Sequence, residues 1–301
     1  MSLSLLSCSA PETPMKIGTN LWLGYEPFYL AVKNGYLERQ QTHFVEYTSA
    51  SQVIMAYRNG VIDAAALTLD EALQLLENSF RPKIVLVLDI SSGADVILGQ
   101  PEITQFKQLK GKRVGVEDSA LGAYVLSRAL EMSGLSINDI TVVSLEMSGH
   151  EQAFLNHEID AVVTFEPIKS RLLAKSANVL FDSTQIPNEI VDILVVSQKY
   201  YENHRQTIDK LRLGWFKSLT YIEQHPANAV KIMRGRQHLS LEAFDQAFRG
   251  IYFPNREEND NLLNTNFNKS LLPTAQKLSK LMLDKHLLHH EINSENLFLT
   301  P

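Results

Sequence analysis

The sequence predicts an α/β protein of two lobes, each built from parallel βαβ units, with a helical C-terminal tail. Three observations predict it. The chain has 301 residues, 45% hydrophobic and 21% charged, a length and composition typical of about two globular domains. Two stretches of the chain repeat the same order of strand, turn and helix signals. The last third shows helical periodicity without clear strand signals.

The main clue is the internal repeat. Residues 58–71 and 156–167 both contain Ile-Asp-Ala, then small or branched apolar residues, then a threonine and a carboxylate. Each segment is typical of a helix end, a tight turn at the aspartate, a short buried strand and a polar strand terminus. Chance similarity between two short segments is the alternative.

A second pair of matching segments lies upstream of the first. Residues 16–25 and 113–123 each predict a strand and a glycine-containing turn, followed by helices that end near Gly35 and Gly134. Glycine is common just after the last residue of a helix. Alternating strands and helices indicate parallel βαβ units in a doubly wound α/β arrangement.

The predicted tail begins near Tyr200. Its apolar spacing predicts helices over 208–224, 227–233 (opened by Pro226), 241–248 and 274–288, and a polar loop over 255–260. We expect the tail to pack on one lobe.

Charge and hydropathy exclude several classes of partner. The net charge is −6, and no Lys/Arg run with interleaved aromatic residues is present, so we expect no nucleic-acid partner. An acidic surface also disfavours binding to anionic lipid headgroups. The apolar run Ile84–Leu88 stops at Asp89, far short of the ~20 residues that span a bilayer. We therefore expect no transmembrane segment.

Cys8 is the one cysteine of the chain, so no internal disulfide is expected. Leu5-Leu6-Ser7-Cys8 resembles a bacterial lipobox, and the polar residues 9–14 would suit a tether. The residues before Leu6 are too few for a signal-peptide hydrophobic region of ~7–15 residues, so we expect the natural leader to be shortened here. An incidental cysteine in a disordered N-terminus is the alternative.

Several segments together resemble a known family. Residues 17–27 and 30–36, the stretch 109–116, and the Ile159-Asp160-Ala161 and Phe165-Glu166-Pro167 elements are similar to periplasmic solute-binding proteins of ABC transporters of the nitrate/sulfonate/taurine type, including those for thiamine precursors. The resemblance covers roughly residues 14–235.

The resemblance implies a type II periplasmic binding protein fold. Lobe one would comprise 14–93 and 194–301, lobe two 94–193, and residues 1–13 a tether. Hinge crossings are expected near 92–94 and 191–193. It implies a monomeric, extracytoplasmic protein, held to the membrane at most by a lipid on Cys8, that closes on a small molecule and delivers it to an ABC permease. No catalysis, cofactor or metal is expected.

Ligands of open α/β sheets bind beyond the C-terminal ends of the strands. These ends supply the candidate ligand-binding residues, and backbone N–H groups at 119–122 could hold an acceptor group. The candidates are Thr19, Trp22, Tyr25, Glu26, Thr68, Asp70, Glu71, Ser119, Ala120, Leu121, Gly122, Tyr124, Thr164, Glu166 and Asp192.

The predicted cleft segments contain carboxylates and aromatic rings but no Lys, Arg or His. Carboxylates beside aromatic faces favour an amine or an amino-bearing ring as ligand. An anion held by helix N-termini is the competing hypothesis. Asp70 and Asp118 could instead be helix N-caps, with Glu26 in a similar role, and Trp22 could be a core residue.

Catalytic signals are weak. We find no Gly-x-Ser-x-Gly, Walker or Gly-x-Gly-x-x-Gly motif. His286 and His290 could share a metal, but a solvated helix face is the favoured interpretation, and His150 is expected at the surface or as a cap. The competing functions are an enzyme on the same fold, such as a thiamine-pyrimidine synthase, and the ligand-sensing domain of a receptor.

Overall fold

A computed structural model describes residues 13–117 and 120–299. Its strands are β1 (Met15–Thr19), β2 (Thr42–Glu46), β3 (Ala64–Thr68), β4 (Pro82–Ser91), β5 (Val96–Gly99), β6 (Arg113–Val116), β7 (Thr141–Ser144), β8 (Ala161–Thr164), β9 (Asn178–Asp182), β10 (Val191–Ser197) and β11 (Ile251–Tyr252). Its α-helices are α1 (Glu26–Lys33), α2 (Ala50–Arg58), α3 (Leu69–Glu77), α4 (Ala120–Ser133), α5 (Met147–Leu155), α6 (Ile168–Leu173), α7 (Gln198–Asn203), α8 (Arg205–Gln224), α9 (Pro226–Gln237), α10 (Leu241–Phe248), α11 (Arg256–Leu263) and α12 (Leu272–Asp284).

The strands form two sheets, which define lobe one and lobe two. Lobe one has the order β11-β4-β10-β3-β1-β2, and lobe two has the order β7-β6-β8-β5-β9. In lobe one, β1 lies between β2 and β3 and is parallel to both. In lobe two, β6 lies between β7 and β8 in the same way. The predicted α/β architecture of two similar βαβ units is confirmed.

The repeated Ile-Asp-Ala has one structural role in both lobes. Asp63 Oδ2 accepts a hydrogen bond from the backbone N–H of Lys16 at 2.8 Å. Asp160 Oδ2 accepts one from the backbone N–H of Arg113, also at 2.8 Å. The two residues of each pair are 47 positions apart. The aspartate thus fastens the start of the third strand of each unit to the start of its first strand.

The chain crosses between the sheets twice. It leaves β4 at Ser91 and enters β5 at Val96, where the first crossing was predicted. It leaves β9 at Asp182 and enters β10 at Val191. The second crossing therefore precedes the predicted position at 191–193, because those residues are already paired in β10 with β3 and β4.

The helical tail packs on lobe one, as predicted. On α8, Leu211 and Trp215 are fully buried, and the Trp215 ring lies 4.5 Å from that of Phe28 on α1. Gly214 permits this approach, because a Cβ there would lie 2.4 Å from Leu37. Further along the tail, α12 packs against α3.

The prediction of a polar loop over 255–260 is wrong. Asn255 caps α11: its Oδ1 accepts from the Glu258 N–H at 3.0 Å. In turn the Glu258 carboxylate accepts from the Asn255 N–H at 2.8 Å. This reciprocal cap makes a polar sequence helical. On the same helix the buried Asn259 bonds both backbone groups of Val87. The short strand β11 was also missed.

Within residues 13–117 and 120–299, no helix is both long and apolar enough to cross a bilayer.

Candidate functional site

A cavity lies between the two lobes, the place where ligands of open α/β sheets are expected. Its walls come from both sheets, mainly from residues at or just beyond the C-terminal ends of β1, β3, β6 and β8. The lining residues are Asn20, Trp22, Tyr25, Ala50, Ala66, Thr68, Glu71, Asp95, Glu117, Leu121, Phe165 and Asp192.

The structure brings together six of the candidate residues around this cavity: Trp22, Tyr25, Thr68, Glu71, Leu121 and Asp192. Their convergence follows from topology, since parallel strands end at one edge of a sheet. Their roles in binding stay predictions.

Two aromatic rings from different lobes form one wall of the cavity. Trp22 follows β1 and Phe165 follows β8, and their centroids lie 5.6 Å apart in an edge-to-face arrangement. The indole N–H of Trp22 donates to Asp89 Oδ2 at 3.2 Å. Gly24 makes this possible, since a Cβ there would lie 2.0 Å from Asp89 Oδ2. The hydrogen bond fixes the indole, which is buried in the core and also lines the cavity.

Four acidic side chains lie together here, and three of them, Glu71, Asp95 and Asp192, line the cavity. Asp192 on β10 lies opposite Asp89 on β4 in the strand register, and both are almost fully buried. The Tyr25 hydroxyl donates to Asp192 Oδ1 at 2.5 Å. Asp95 and Glu71 approach the same cavity from the first crossing and from α3. We call Asp89, Asp95, Asp192 and Glu71 the acidic cluster.

Burial makes the ionised forms of the acidic cluster costly. Burial, followed by the charge of Asp89, holds the pKa of Asp192 well above its usual value, and burial does the same for Asp89. Burial raises the pKa of Asp95 to about 7. Burial, with the charge of Asp70, raises the pKa of Glu71 to about 8. Some of these carboxyls therefore carry protons near neutral pH.

Two oxygens of the acidic cluster have unused acceptor capacity. Glu71 Oε2 accepts from the Thr68 N–H at 2.9 Å. No described residue forms a hydrogen bond with Glu71 Oε1 or with Asp95 Oδ2. Glu71 is 2% exposed and Asp95 is 4% exposed, so water replaces such partners poorly. The cavity wall therefore presents buried acceptors suited to a hydrogen-bond donor.

Two candidate carboxylates lie away from the cavity in ion pairs. Glu26 Oε1 accepts from Gln237 at 2.6 Å and from Arg236 at 3.2 Å, both on α9. Glu166 accepts from the Ser170 N–H at 3.0 Å and pairs with Lys169 at 3.4 Å. Neither carboxylate lines the cavity, and their role in binding stays a prediction.

Lys169 of α6, outside the predicted cleft segments, is a cation whose charge acts on Asp95. Its Nζ donates to the Gly93 carbonyl at 2.9 Å, which ties α6 of lobe two to the first crossing. Its charge slightly offsets the effect of burial on Asp95. This lysine is already committed to Glu166 and Gly93 and does not line the cavity.

The other candidate side chains bond elsewhere or lie in helix turns beside the cavity. Thr19 bonds Tyr29 at 2.7 Å, Tyr124 donates to Glu189 at 2.5 Å, and Thr164 lies 3.3 Å from His150 Nδ1. Asp70, Ala120 and Gly122 are buried in the first turns of α3 and α4 and do not line the cavity.

Two expectations about caps and one about a histidine are wrong. Thr68, not Asp70, is the N-cap of α3, and Glu26 is the first residue of α1 rather than its cap. His150 lies inside α5 and is 1% exposed, and burial lowers its pKa to about 4. Cys8, Asp118 and Ser119 lie outside the described residues.

Sequence reasoning missed Asp89 and Asp95 as part of the site, together with Asn20, Ala50 and Ala66. Asp89 did leave a signal, because a carboxylate that ends the apolar run Ile84–Leu88 stands within a strand buried on both faces. Such a residue needs a polar partner. In this protein the partner is the Trp22 indole.

A metal site finds no support in the described part of the chain, where no group of three His, Cys, Asp or Glu side chains is placed to hold an ion. His290 lies near Glu77, to which its backbone N–H donates at 3.1 Å. His286 and His290 follow the end of α12 at Asp284, so they do not share a helix face as predicted.

The profile of the NMT1-like family matches residues 9–234. Proteins from Brucella abortus, Brucella suis and Brucella melitensis, whose names describe them as candidate binding proteins, are 29% identical over 93 residues. That match covers 31% of this chain and 29% of each relative, so the chain matches under a third of their length.

Solved structures match almost the whole chain. The alkanesulfonate-binding protein SsuA from Xanthomonas axonopodis pv. citri, bound to MOPS, has a TM-score of 0.80 and 19% identity, and covers 95% of this chain and 98% of its own. The aliphatic sulphonate binding protein SsuA from Escherichia coli has a TM-score of 0.75 and 18% identity, with 95% and 97% covered.

A third neighbour is a ligand-binding component of an ABC-type import system from Staphylococcus aureus, with zinc bound. Its TM-score is 0.77 at 15% identity, with 96% and 97% covered. At these identities the likeness establishes the fold. The chain has the type II periplasmic binding protein fold that the sequence predicted.

Proposed function

The chain belongs to the NMT1-like family, and we propose that it is the extracytoplasmic solute-binding component of an ABC importer. The proposal is supported by the fold and by a cavity placed between the lobes, where proteins of this architecture hold their ligands. It would capture one small molecule per chain and present it to a membrane permease. We further propose that it acts as a monomer and that its lobes close on the ligand.

The ligand we propose is a small organic molecule that carries an amine or an amino-substituted aromatic ring. The observation that carries this is the pair of buried, unused carboxyl oxygens on Glu71 and Asp95. Either oxygen would accept a hydrogen bond from an ammonium or amino group, and such charge-assisted bonds are strong. The rings of Trp22 and Phe165 beside them favour a planar or cationic group.

A sulfonate is the main competing ligand, since two of the structural neighbours are named for sulfonates. The acidic cluster argues against it here. A sulfonate in this cavity would lose its hydration and face carboxyl groups rather than a cation. Lys169, whose charge acts on Asp95, is held by Glu166 and the Gly93 carbonyl.

Identifying the bound molecule tests both levels of this proposal. Native mass spectrometry of gently purified protein should show one small molecule per chain, and its mass and fragmentation should reveal an amino group. An unchanged molecule released after incubation supports binding, whereas conversion into a product supports the enzyme alternative. A ligand that is an anion without an amino group would refute the ligand class and leave the binding function intact.

A thermal-shift comparison gives a second test that needs no prior identification. Benzylamine should raise the melting temperature of the wild-type protein, and 1-propanesulfonate should not. Asp95→Asn should remove most of the benzylamine effect. Asp245→Asn is the matched control, because Asp245 is exposed on α10 and pairs only with Arg249 among the contacts described for it.

Lobe closure and the lipid anchor have separate tests. Small-angle scattering should show a smaller radius of gyration at saturating ligand, and an unchanged radius would count against closure. Cys8→Ser should release the full-length protein from the membrane fraction of its native host. Wild-type protein that is already soluble there would rule out the anchor.

A further inference from the structure

The acidic cluster holds more negative charge than its neighbours can balance. Asp89 and Asp192 are register partners on antiparallel strands, which places their Cβ atoms about 5 Å apart. Like charges at that distance repel, and burial strengthens the repulsion. Their described donors, the Trp22 indole and the Tyr25 hydroxyl, are neutral.

The charged side chains described on the neighbouring elements do not balance the negative charge of the acidic cluster. The charges of Asp70 on α3 and of Glu117 after β6 both raise the pKa of Glu71. The charge of Glu166 raises the pKa of Asp95, and the charge of Lys169 lowers it. Because Lys169 is already paired with Glu166, the acidic cluster keeps a net negative charge when all its carboxyls are ionised.

A proton is the available counter-charge in the ligand-free protein. A protonated carboxyl is uncharged, so protonation of one member lowers the negative charge of the acidic cluster. A cationic ligand group would supply a positive charge and hydrogen-bond donors to Glu71 Oε1 and Asp95 Oδ2, the two oxygens without a described partner. The proton and the ligand cation would neutralise the same negative charge, so binding of the cation should displace the proton.

We propose that the acidic cluster stores at least one proton in the ligand-free protein and releases it when the cationic group of a ligand binds, so that affinity rises with pH. The inference rests on the proposed function, in which the ligand carries an amino group. It adds that binding is an exchange of a proton for a ligand cation, with Asp95 and Glu71 as the exchanging groups.

The direction of the pH effect follows from linkage. Burial raises the pKa of Asp95 to about 7 and that of Glu71 to about 8. Below these values the proton must leave before the cation can bind, so each released proton weakens binding about tenfold per pH unit. Above them the carboxyls are already ionised and affinity levels off. The exchange therefore acts within the neutral pH range.

Calorimetry with benzylamine is the test, because this amine stays protonated throughout the range. Titrations of the whole protein at pH 5.5, 6.5 and 7.5 should show affinity rising at least roughly tenfold between the first two values, and roughly a hundredfold if Asp95 and Glu71 both exchange. Repeating the pH 6.5 titration in phosphate and in MES, whose ionisation enthalpies differ, should reveal about one to two protons released per ligand. Affinity that is constant with pH, or no proton released, would overturn the exchange.

Variants and a ligand-free measurement complete the design. Asp95→Asn should lower the number of protons released, Glu71→Gln serves if that variant does not fold, and Asp245→Asn should behave as wild type. Carboxyl ¹³C NMR of ligand-free protein, assigned by comparison with Asp95→Asn and Glu71→Gln, should show at least one member of the acidic cluster protonated at pH 6.5. A fully ionised set would overturn the stored proton.

Failure of this inference is distinguishable from failure of the proposed function. Benzylamine that binds equally at every pH overturns the exchange and leaves the ligand class standing. Benzylamine that binds at no pH overturns the exchange too. If mass spectrometry then finds an anionic ligand, the proposed ligand class is overturned as well.

Discussion

Gly24→Ala should disrupt the aromatic wall of the cavity, because no room exists for a methyl group at this position. A Cβ on Gly24 would lie 2.0 Å from Asp89 Oδ2 and 2.3 Å from Trp22 Nε1, distances at which something must move. The movement would separate the indole N–H from its buried carboxylate. Loss of this buried hydrogen bond costs about 1–2 kcal/mol, and strain from overpacking adds about 1–3 kcal/mol.

Urea denaturation followed by circular dichroism measures this effect. We expect Gly24→Ala to lower the unfolding free energy by about 2–5 kcal/mol and to weaken benzylamine binding. Gly149→Ala is the matched control, since a Cβ at Gly149 on α5 meets no atom within 4 Å and alanine favours a helix by up to about 1 kcal/mol. Equal stability of Gly24→Ala and wild type, with binding unchanged, would refute the steric reasoning.

Three further outcomes follow from the same contacts. In the folded protein Asp95 keeps its proton up to a pH of about 7. Between pH 4 and 7 this residue therefore lowers the unfolding free energy by up to about 1.4 kcal/mol for each unit that the pH rises. His150, with a pKa of about 4, has the opposite effect: it makes the unfolding free energy rise with pH up to pH ~6.5. Urea titrations across this range should therefore show a more positive slope in Asp95→Asn than in wild type, and equal slopes would contradict the assignment. Asn259→Ala should cost about 2–4 kcal/mol, since it leaves both backbone groups of Val87 unsatisfied, and a midpoint within error of wild type would exclude this role. Phe165→Ala should weaken benzylamine binding roughly 5- to 30-fold by removing an aromatic face worth about 1–2 kcal/mol, measured by calorimetry; unchanged affinity would place the ligand away from this ring.

The fold could be predicted because its determinants are local and repeated. Asp63 and Asp160 each fasten the third strand of a βαβ unit to the first, so the same short pattern appears in both halves of the chain. Pro226 at the start of α9 is equally local. The polar helix α11 escaped prediction although its Asn255–Glu258 cap is local; its other support, the bonds of Asn259 to Val87, is distant in the sequence.

The candidate site was predictable in position but only partly in its residues. Strand ends identify an edge of a sheet, yet they do not say which way a side chain turns. Glu166 follows β8 as expected, but Lys169 lies one helical turn later and pairs with it. Glu26 is held by Arg236 and Gln237, which lie about two hundred residues further along the chain. Long-range pairs of this kind leave no local signal.

The acidic cluster shows why the charge of a cleft depends on strand register. Asp89 and Asp192 meet only because β4 and β10 pair in antiparallel register, and Asp95 follows the first crossing between the lobes. The unbalanced charge thus lies where the chain passes from one sheet to the other, beside Phe165 of lobe two. A ligand cation placed there would interact with groups from both lobes at once. Because a ligand favours the arrangement in which it makes the most contacts, charge neutralisation and lobe closure should be favoured together.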